Sequence, residues 1–416
     1  MIKNKIIYTD YCNWKFDLKR AKGSYIWDQK GNKLIDFTSG WNVINLGWNH
    51  LEITQAVIEQ LKKNTYAPMW TADPVQNKYA DLLTKSLSEG LDSIGRVTGG
   101  MEANEEAIKL ARSYTGRKKI LGFIESYHGQ GLNCMAISNL PEWVAKITDK
   151  RNDLLQIPFP NTYRTKRSNK ELLSQLELRL EKLLVKKDIA ALLTESGVIT
   201  GWGSTYIAPD GFLTLIRKVT KKHGTLLILD EVGSAFSRLG KLFAMEIENV
   251  VPDIVTLAKG ISNGVAPIGV MVTTNEIAKK GYAAANLQST FGWMPVACAA
   301  ALKTLQIHIR DKVWLKAEKD GNYLLKALKK ELKNHPKVGD IRGKGMEIGI
   351  DFVKNKKTKE KDPEIIEKIV EKAFSRGLHI VCDHDSNIQL MPPLIISRKD
   401  LNKGLDILVK TINQFN

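Results

Sequence analysis

At 416 residues, with 43% hydrophobic and 26% charged residues, the chain can bury one large core plus a smaller one, which excludes a disordered polypeptide. No window approaches the ~18 apolar residues that cross a bilayer, and the start MIKNKIIYTDYCNWKFDLKR lacks the apolar core and cleavage site of a secretory signal, so a cytoplasmic protein with no membrane partner is expected. The net charge of +17 does not mark a nucleic-acid binder, because lysines are mixed with glutamates in LEKLLVKK, KKELK and KNKKTKEK and aromatic residues are not interleaved.

In chain order, GSYIWDQKGNKLIDF alternates apolar and polar residues around Gln29-Lys30-Gly31-Asn32, the pattern of a β-hairpin with a glycine turn. Helical periodicity over 51–64 and 75–88 leads into GRVTGGMEANEEAIKLARSYTG, where a glycine turn opens an amphipathic helix near Glu102. The runs KILGFI (119–124), IAALLT (189–194), TLLIL (225–229), DIVTL (253–257) and IGVMVT (268–273) are continuously apolar, as strands buried on both faces require. An α/β layer structure follows. From about 306 come a long helix, the strand MEIGIDF, a helix over 363–376, short strands around 378–391 and a final helix. The expected division is 1–50 as the first part of a small domain, 51–305 as a large domain and 306–416 as the rest of the small domain. Cys12, Cys134, Cys298 and Cys382 have no CxxC spacing, which argues against a zinc site or a disulfide framework.

The chemistry is concentrated in two segments. In TLLILDEVGSAFSRLG the apolar run feeds Asp230 and Glu231, which places a carboxylate at the carboxyl end of a buried strand, where open α/β sheets hold ligands. In DIVTLAKGISNG a second buried strand ends on Lys259, 29 residues after Asp230. Burial disfavours the charged amine, so such a lysine is readily neutral and nucleophilic toward an aldehyde. Together they suit pyridoxal 5'-phosphate, which needs a lysine for its Schiff base and an acid that keeps its ring nitrogen protonated. Gly99-Gly100-Met101, ahead of a helix, offers backbone N–H groups and a positive dipole end for the phosphate. Tyr127 and His128, after the strand KILGFI, would stand at the same sheet edge, where Tyr127 either stacks on the ring or is an ordinary part-buried aromatic.

These residues resemble the class III aminotransferases of fold type I, which include ornithine, acetylornithine, 4-aminobutyrate and ω-amino acid enzymes. The likeness runs through GGMEANEEAIKLAR, YHG, TESGVITG, PDGFL, LILDEVGSAFSRLG, PDIVTLAKGISNG, STFG, IRGKGM and MPPL. It implies a large domain with a mostly parallel seven-stranded sheet, a smaller α/β domain from both chain ends, and a homodimer with shared active sites. It also implies that Lys259 forms the Schiff base, Asp230 pairs with the ring nitrogen and Val232 packs opposite Tyr127. Gly100 and Met101 hold the phosphate, Thr290 reaches the neighbouring subunit's phosphate, and Glu195 lies near the ring. The implied reaction is ping-pong transfer of an amino group from an amine or amino acid to a keto acid, with no metal. The same residues serve racemases and aminomutases of the family equally well. A cofactor-binding scaffold is disfavoured, because Lys259, Asp230 and the phosphate turn are all present.

The departures bear on the substrate. The family has DEVQ, whose glutamine bonds the cofactor's 3-hydroxyl, where this chain has Gly233. Glu195-Ser196 replaces EP. Gln130 stands where many members carry an arginine after the aromatic-HG motif, and Gln389 stands three residues before the Pro392-Pro393 pair, where a second arginine is common. Both clamps for a substrate carboxylate are therefore replaced. Trp41, Trp202 and Trp293 either make the pocket unusually aromatic or simply pack.

Overall fold

The apolar runs become neighbouring strands of one sheet. The computed structural model describes residues 16–138, 151–201 and 204–415. Seven strands stand in the spatial order Ser93–Val97, Gly269–Thr273, Ile254–Leu257, Leu226–Asp230, Ile189–Glu195, Lys119–Phe123 and Leu154–Ile157. Gly269–Thr273 runs antiparallel to both neighbours, and the other pairs are parallel. This is the expected α/β class with a mostly parallel seven-stranded sheet.

Alternate residues of each strand feed different cores, which is why these segments read as continuous apolar runs. Leu227 and Leu229 join Leu180, Phe212 and Ile216 on one face, while Ile228 joins Ala107, Ile108 and Leu110 of the helix Gly100–Thr115 on the other. At roughly 1.5–3 kcal/mol for each buried Leu or Ile side chain, these two layers fix the plane of the sheet. The carboxyl ends of the central strands then lie together, with Glu195 beside Asp230 in register.

The hairpin appears as Tyr25–Asp28 and Lys33–Asp36 in antiparallel pairing, with Gly31 at φ +88° in its turn. Its second strand pairs in parallel with Leu378–His379, Leu378 opposite Ile35 and His379 opposite Asp36, so the two ends of the chain share one sheet. A further sheet carries Val338–Lys344, Glu347–Asn355, Asn387–Leu390 and Val381–Cys382. One apolar cluster gathers Phe37, Leu46 and Ile53 with Leu324, Ile348, Phe352 and Leu408. The helix Pro295–Arg310 serves two clusters, with Cys298 and Leu305 in the core of the large sheet and Ala300 and Ile307 in this one. Residue 305, the expected boundary, lies inside that helix.

Of the two alternatives for Trp293, the structure shows the packing one. The side chain is 2% exposed, donates from Nε1 to Gly269 O at 2.9 Å and packs on Tyr79 at 4.9 Å between ring centroids. It belongs to the core, because its indole N–H needs a partner and a strand-end carbonyl supplies it.

Candidate active site

At the carboxyl end of the sheet a cavity of about 480 Å³ is lined by Gly100, Met101, Tyr127, His128, Gln130, Glu195, Thr200, Asp230, Val232, Gly233 and Lys259, among others. Distant parts of the sequence therefore meet at one place, as the strand-end argument requires.

The helix Gly100–Thr115 opens into this cavity. Its N-cap is Gly99, which has no side chain to cap it, while Glu102 turns back to accept the Thr98 N–H at 2.7 Å. The first-turn N–H groups have no partner within the helix, and they carry the positive end of its dipole. Val232 lies close over the helix start: a Cβ on Gly100 would stand 2.7 Å from its Cγ1. Gly100 is thus required by packing as well as by backbone access.

Asp230 ends its strand at 3% exposure. Its Oδ2 takes the Asn104 amide at 2.8 Å and contacts His128 Nδ1 at 2.7 Å, while Oδ1 accepts the Val232 N–H at 2.9 Å. Asn104 is itself held by the Thr256 hydroxyl at 2.7 Å and donates to the His128 carbonyl at 3.0 Å. A carboxylate has about four lone-pair sites, so these bonds fix its orientation and leave Oδ1 room for one more donor.

Lys259 follows the strand Ile254–Leu257 and takes φ +45° in the left-handed region, which costs a non-glycine residue roughly 1–3 kcal/mol. Its Nζ makes no hydrogen bond among the described residues. Loss of hydration lowers its pKa, against the opposing pull of Glu195, Asp230 and Glu347. It is the only lysine or arginine of the lining among the described residues. Glu195 is pushed up to about 7, first by burial and then by the Asp230 charge. Its Oε2 accepts Thr200 N and Oγ1, both at 2.8 Å, and its Oε1 accepts Tyr127 N at 3.3 Å. A Cβ on Gly201 would stand 2.2 Å from Tyr127 Cβ, so the loop after Thr200 is pressed against the tyrosine.

The remaining expected residues divide. Gln130 lines the cavity, whereas Gln389 does not: it is fully buried, donating to Thr200 O at 3.0 Å, Ser204 O at 3.2 Å and Glu347 Oε1 at 2.5 Å. Its expected place among the substrate contacts is corrected accordingly. Trp41 is outside the lining, in a left-handed turn, while Val43 two residues later is part of it. Trp202 lies outside the described residues. Thr290 is exposed, away from this cavity, and its carbonyl accepts the Tyr66 hydroxyl at 3.2 Å. Sequence reasoning missed Asn104 and Thr200. A polar residue within the apolar stripe Ala103, Ala107 and Leu110 was the signal for Asn104, and no local signal marked Thr200.

An uncapped helix start for a phosphate, an oriented carboxylate with an open lone pair and a poorly hydrated amine are what pyridoxal phosphate requires, and all face one cavity. The fold and this donor set define a pyridoxal-phosphate enzyme of fold type I. Comparison with known proteins narrows the class. The family model "Aminotransferase class-III" matches residues 7–412. The chain is 33% identical to the leucine/methionine racemase of Thermococcus litoralis, over 94% of this chain and 89% of that one. It is 32% identical to the 4-aminobutyrate aminotransferase of Mycobacterium leprae, covering 95% of this chain and 90% of that one. Among solved structures it is similar to an (S)-enantioselective omega-transaminase from Thermomicrobium roseum, with a TM-score of 0.90 and 32% identity over 97% of this chain and 93% of that chain. The protein belongs to the class-III aminotransferases, enzymes of the EC 2.6.1 group that depend on pyridoxal phosphate.

Proposed function

We propose that the cavity transfers an amino group from an amine or amino acid to a keto acid in two half-reactions, with Lys259 as the Schiff-base lysine. The observation that carries this reading is the poorly hydrated Nζ of Lys259, without a hydrogen bond among the described residues, in the same cavity as Asp230 and the uncapped helix start. Pyridoxal phosphate, when bound, supplies a protonated ring that draws electrons from the substrate carbon. Asp230 Oδ1 holds the proton on the ring nitrogen, and Asn104 and His128 keep that carboxylate from turning. Gly100 and Met101 would hold the phosphate by backbone N–H groups, and Val232 and Tyr127 would pack against the ring. Lys259 Nζ, whose pKa loss of hydration lowers, would take the proton from the substrate carbon and hand it back. Glu195 and Thr200 border the ring's polar edge. The reading includes a homodimer in which the exposed Thr290 completes the phosphate site of the neighbour.

The similarity to a racemase supports a second reading, in which the same proton is returned to the carbon it left. One experiment separates the two. With stoichiometric amine donor and no acceptor, a transferase releases one equivalent of carbonyl product per site and stops. An isomerase releases none and instead erodes the optical activity of the donor. Lys259→Ala should abolish multiple turnover in either case, and a variant that cycles at the wild-type rate would refute the role of Lys259.

A further inference from the structure

Glu347 begins the strand Glu347–Asn355 and is fully buried, with no ion-pair partner within hydrogen-bond reach among the described residues. A carboxylate is costly to bury, so its ligands tell what holds it there. It accepts three hydrogen bonds from three distant parts of the chain. Asn42 Nδ2 donates to Oε2 at 2.9 Å, Thr205 Oγ1 to Oε1 at 2.9 Å and Gln389 Nε2 to Oε1 at 2.5 Å.

Two of these arms lead to the cavity. Asn42 closes a turn in which Ser39, Gly40, Trp41 and Asn42 all have positive φ, from 47° to 65°. Such a run does not persist without outside support, and Val43, the next residue, lines the cavity. Gln389 also bonds the Thr200 and Ser204 carbonyls, and Thr200, which lines the cavity, holds Glu195 there.

We propose that Glu347 is a positioning residue that ties the Asn42 turn to Thr200, Ser204 and Thr205, directly and through Gln389, and so sets the placement of Val43 and Thr200 in the substrate pocket. This rests on the reading of the cavity as the amine-donor site. Glu347 touches neither the cavity nor Lys259, so its loss should act on donor binding more than on the rate at saturation.

A glutamine at 347 keeps the geometry: its carbonyl serves Thr205 and Gln389, and its amide is satisfied by a flip of Asn42, whose Oδ1 is otherwise without a partner. Leucine keeps the volume and removes all three bonds, leaving the Asn42 amide and the Thr205 hydroxyl unmet while Gln389 keeps its two carbonyl acceptors. The test compares Glu347→Leu, Glu347→Gln and Asn42→Gly in the cofactor-loaded enzyme, by steady-state kinetics and by amide hydrogen exchange. Glycine at 42 removes that arm without backbone strain. Glu347→Leu should raise the donor KM at least about tenfold, the factor for one charge-assisted hydrogen bond, with a smaller change in kcat. Amides of both Ser39–Ile44 and Ser204–Tyr206 should exchange faster in Glu347→Leu, and Glu347→Gln should restore both readouts to within about threefold of wild type. An unchanged donor KM in Glu347→Leu, or a glutamine variant as impaired as the leucine one, overturns the proposal. Should the leucine variant fail to fold, Asn42→Gly decides by the same KM rise with faster exchange confined to the turn, and an unchanged KM there overturns it. A wild-type enzyme that transfers no amino group sinks the functional reading instead, and the exchange pattern then tests Glu347 alone.

Discussion

Gly233 and Thr200 divide one space between them: a Cβ on Gly233 would stand 2.1 Å from Thr200 Oγ1, the hydroxyl that donates to Glu195 at 2.8 Å. The glutamine that relatives carry after the DEV triplet is thus incompatible with the threonine present here. A hydroxyl on the opposite loop occupies the place where that side chain would start.

Gly233→Ala should push Thr200 away and break its bond to Glu195. Overpacking of this kind costs typically about 1–3 kcal/mol, and Gly233→Gln should be worse than alanine despite restoring the common residue. Thermal unfolding and kcat/KM of the two variants check this. Wild-type values for Gly233→Gln would show that the loop yields freely.

Asp230→Asn should keep the cofactor bound but lower kcat by orders of magnitude, because a neutral amide does not hold the ring nitrogen's proton. Asn104→Ala should do less, since His128 and the Val232 N–H still orient the carboxylate. Equal losses in the two variants would mean that the carboxylate acts through its fixed orientation alone. Pre-steady-state rates of donor consumption provide the measurement.

Glu195 gives a pH dependence with a definite sign. Its folded pKa is raised from 4.5 to about 7, so between these values the folded chain holds a proton that the unfolded chain has released. Stability contributed by the protonated carboxyl is therefore present below about pH 4.5 and is lost as pH rises toward 7. Glu195→Gln removes that titration. In cofactor-free protein the melting temperature of the variant relative to wild type should climb from pH 5 to pH 8, and a constant difference would contradict the shift.

No arginine lines the cavity among the described residues, and Gln389 is held behind its wall. A second carboxylate on the acceptor thus finds no forked cation, and a missing charge-assisted bond is worth about 1.5–3 kcal/mol. Pyruvate should exceed 2-oxoglutarate in kcat/KM by at least about tenfold with a common donor. A preference for 2-oxoglutarate would reveal a cation brought in by a partner subunit or by motion.

If Thr290 serves the neighbour's phosphate, dilution should lower mass and activity together. Light scattering alongside activity over a dilution series tests this, and a fully active monomer would exclude the shared site.

Much of this was legible in the sequence where a local pattern sufficed. The five inner strands announced themselves because both of their faces are buried. The edge strands Ser93–Val97 and Leu154–Ile157 did not, since the first has only Val97 buried and the second is four residues with a polar, exposed Gln156. Lys259 and Asp230 were readable because each ends a buried run. Gln389 was misplaced, because sequence position gives the strand but not the direction of the side chain, which hydrogen-bond demand decided. Glu347 carried a signal that went unread: a carboxylate opening the apolar run MEIGIDF needs partners that only the folded chain supplies.

The bond between Asn42 and Glu347 also has a consequence for synthesis, since it spans 305 residues. At about 5–20 residues per second, the turn that carries Val43 leaves the ribosome roughly 15 to 60 seconds before its anchor exists. During that interval one wall of the pocket is untethered while the sheet that bears Asp230 and Lys259 can already be complete. If Glu347 sets the pocket as proposed, donor selectivity is then completed only after the sheet that bears Lys259 has formed.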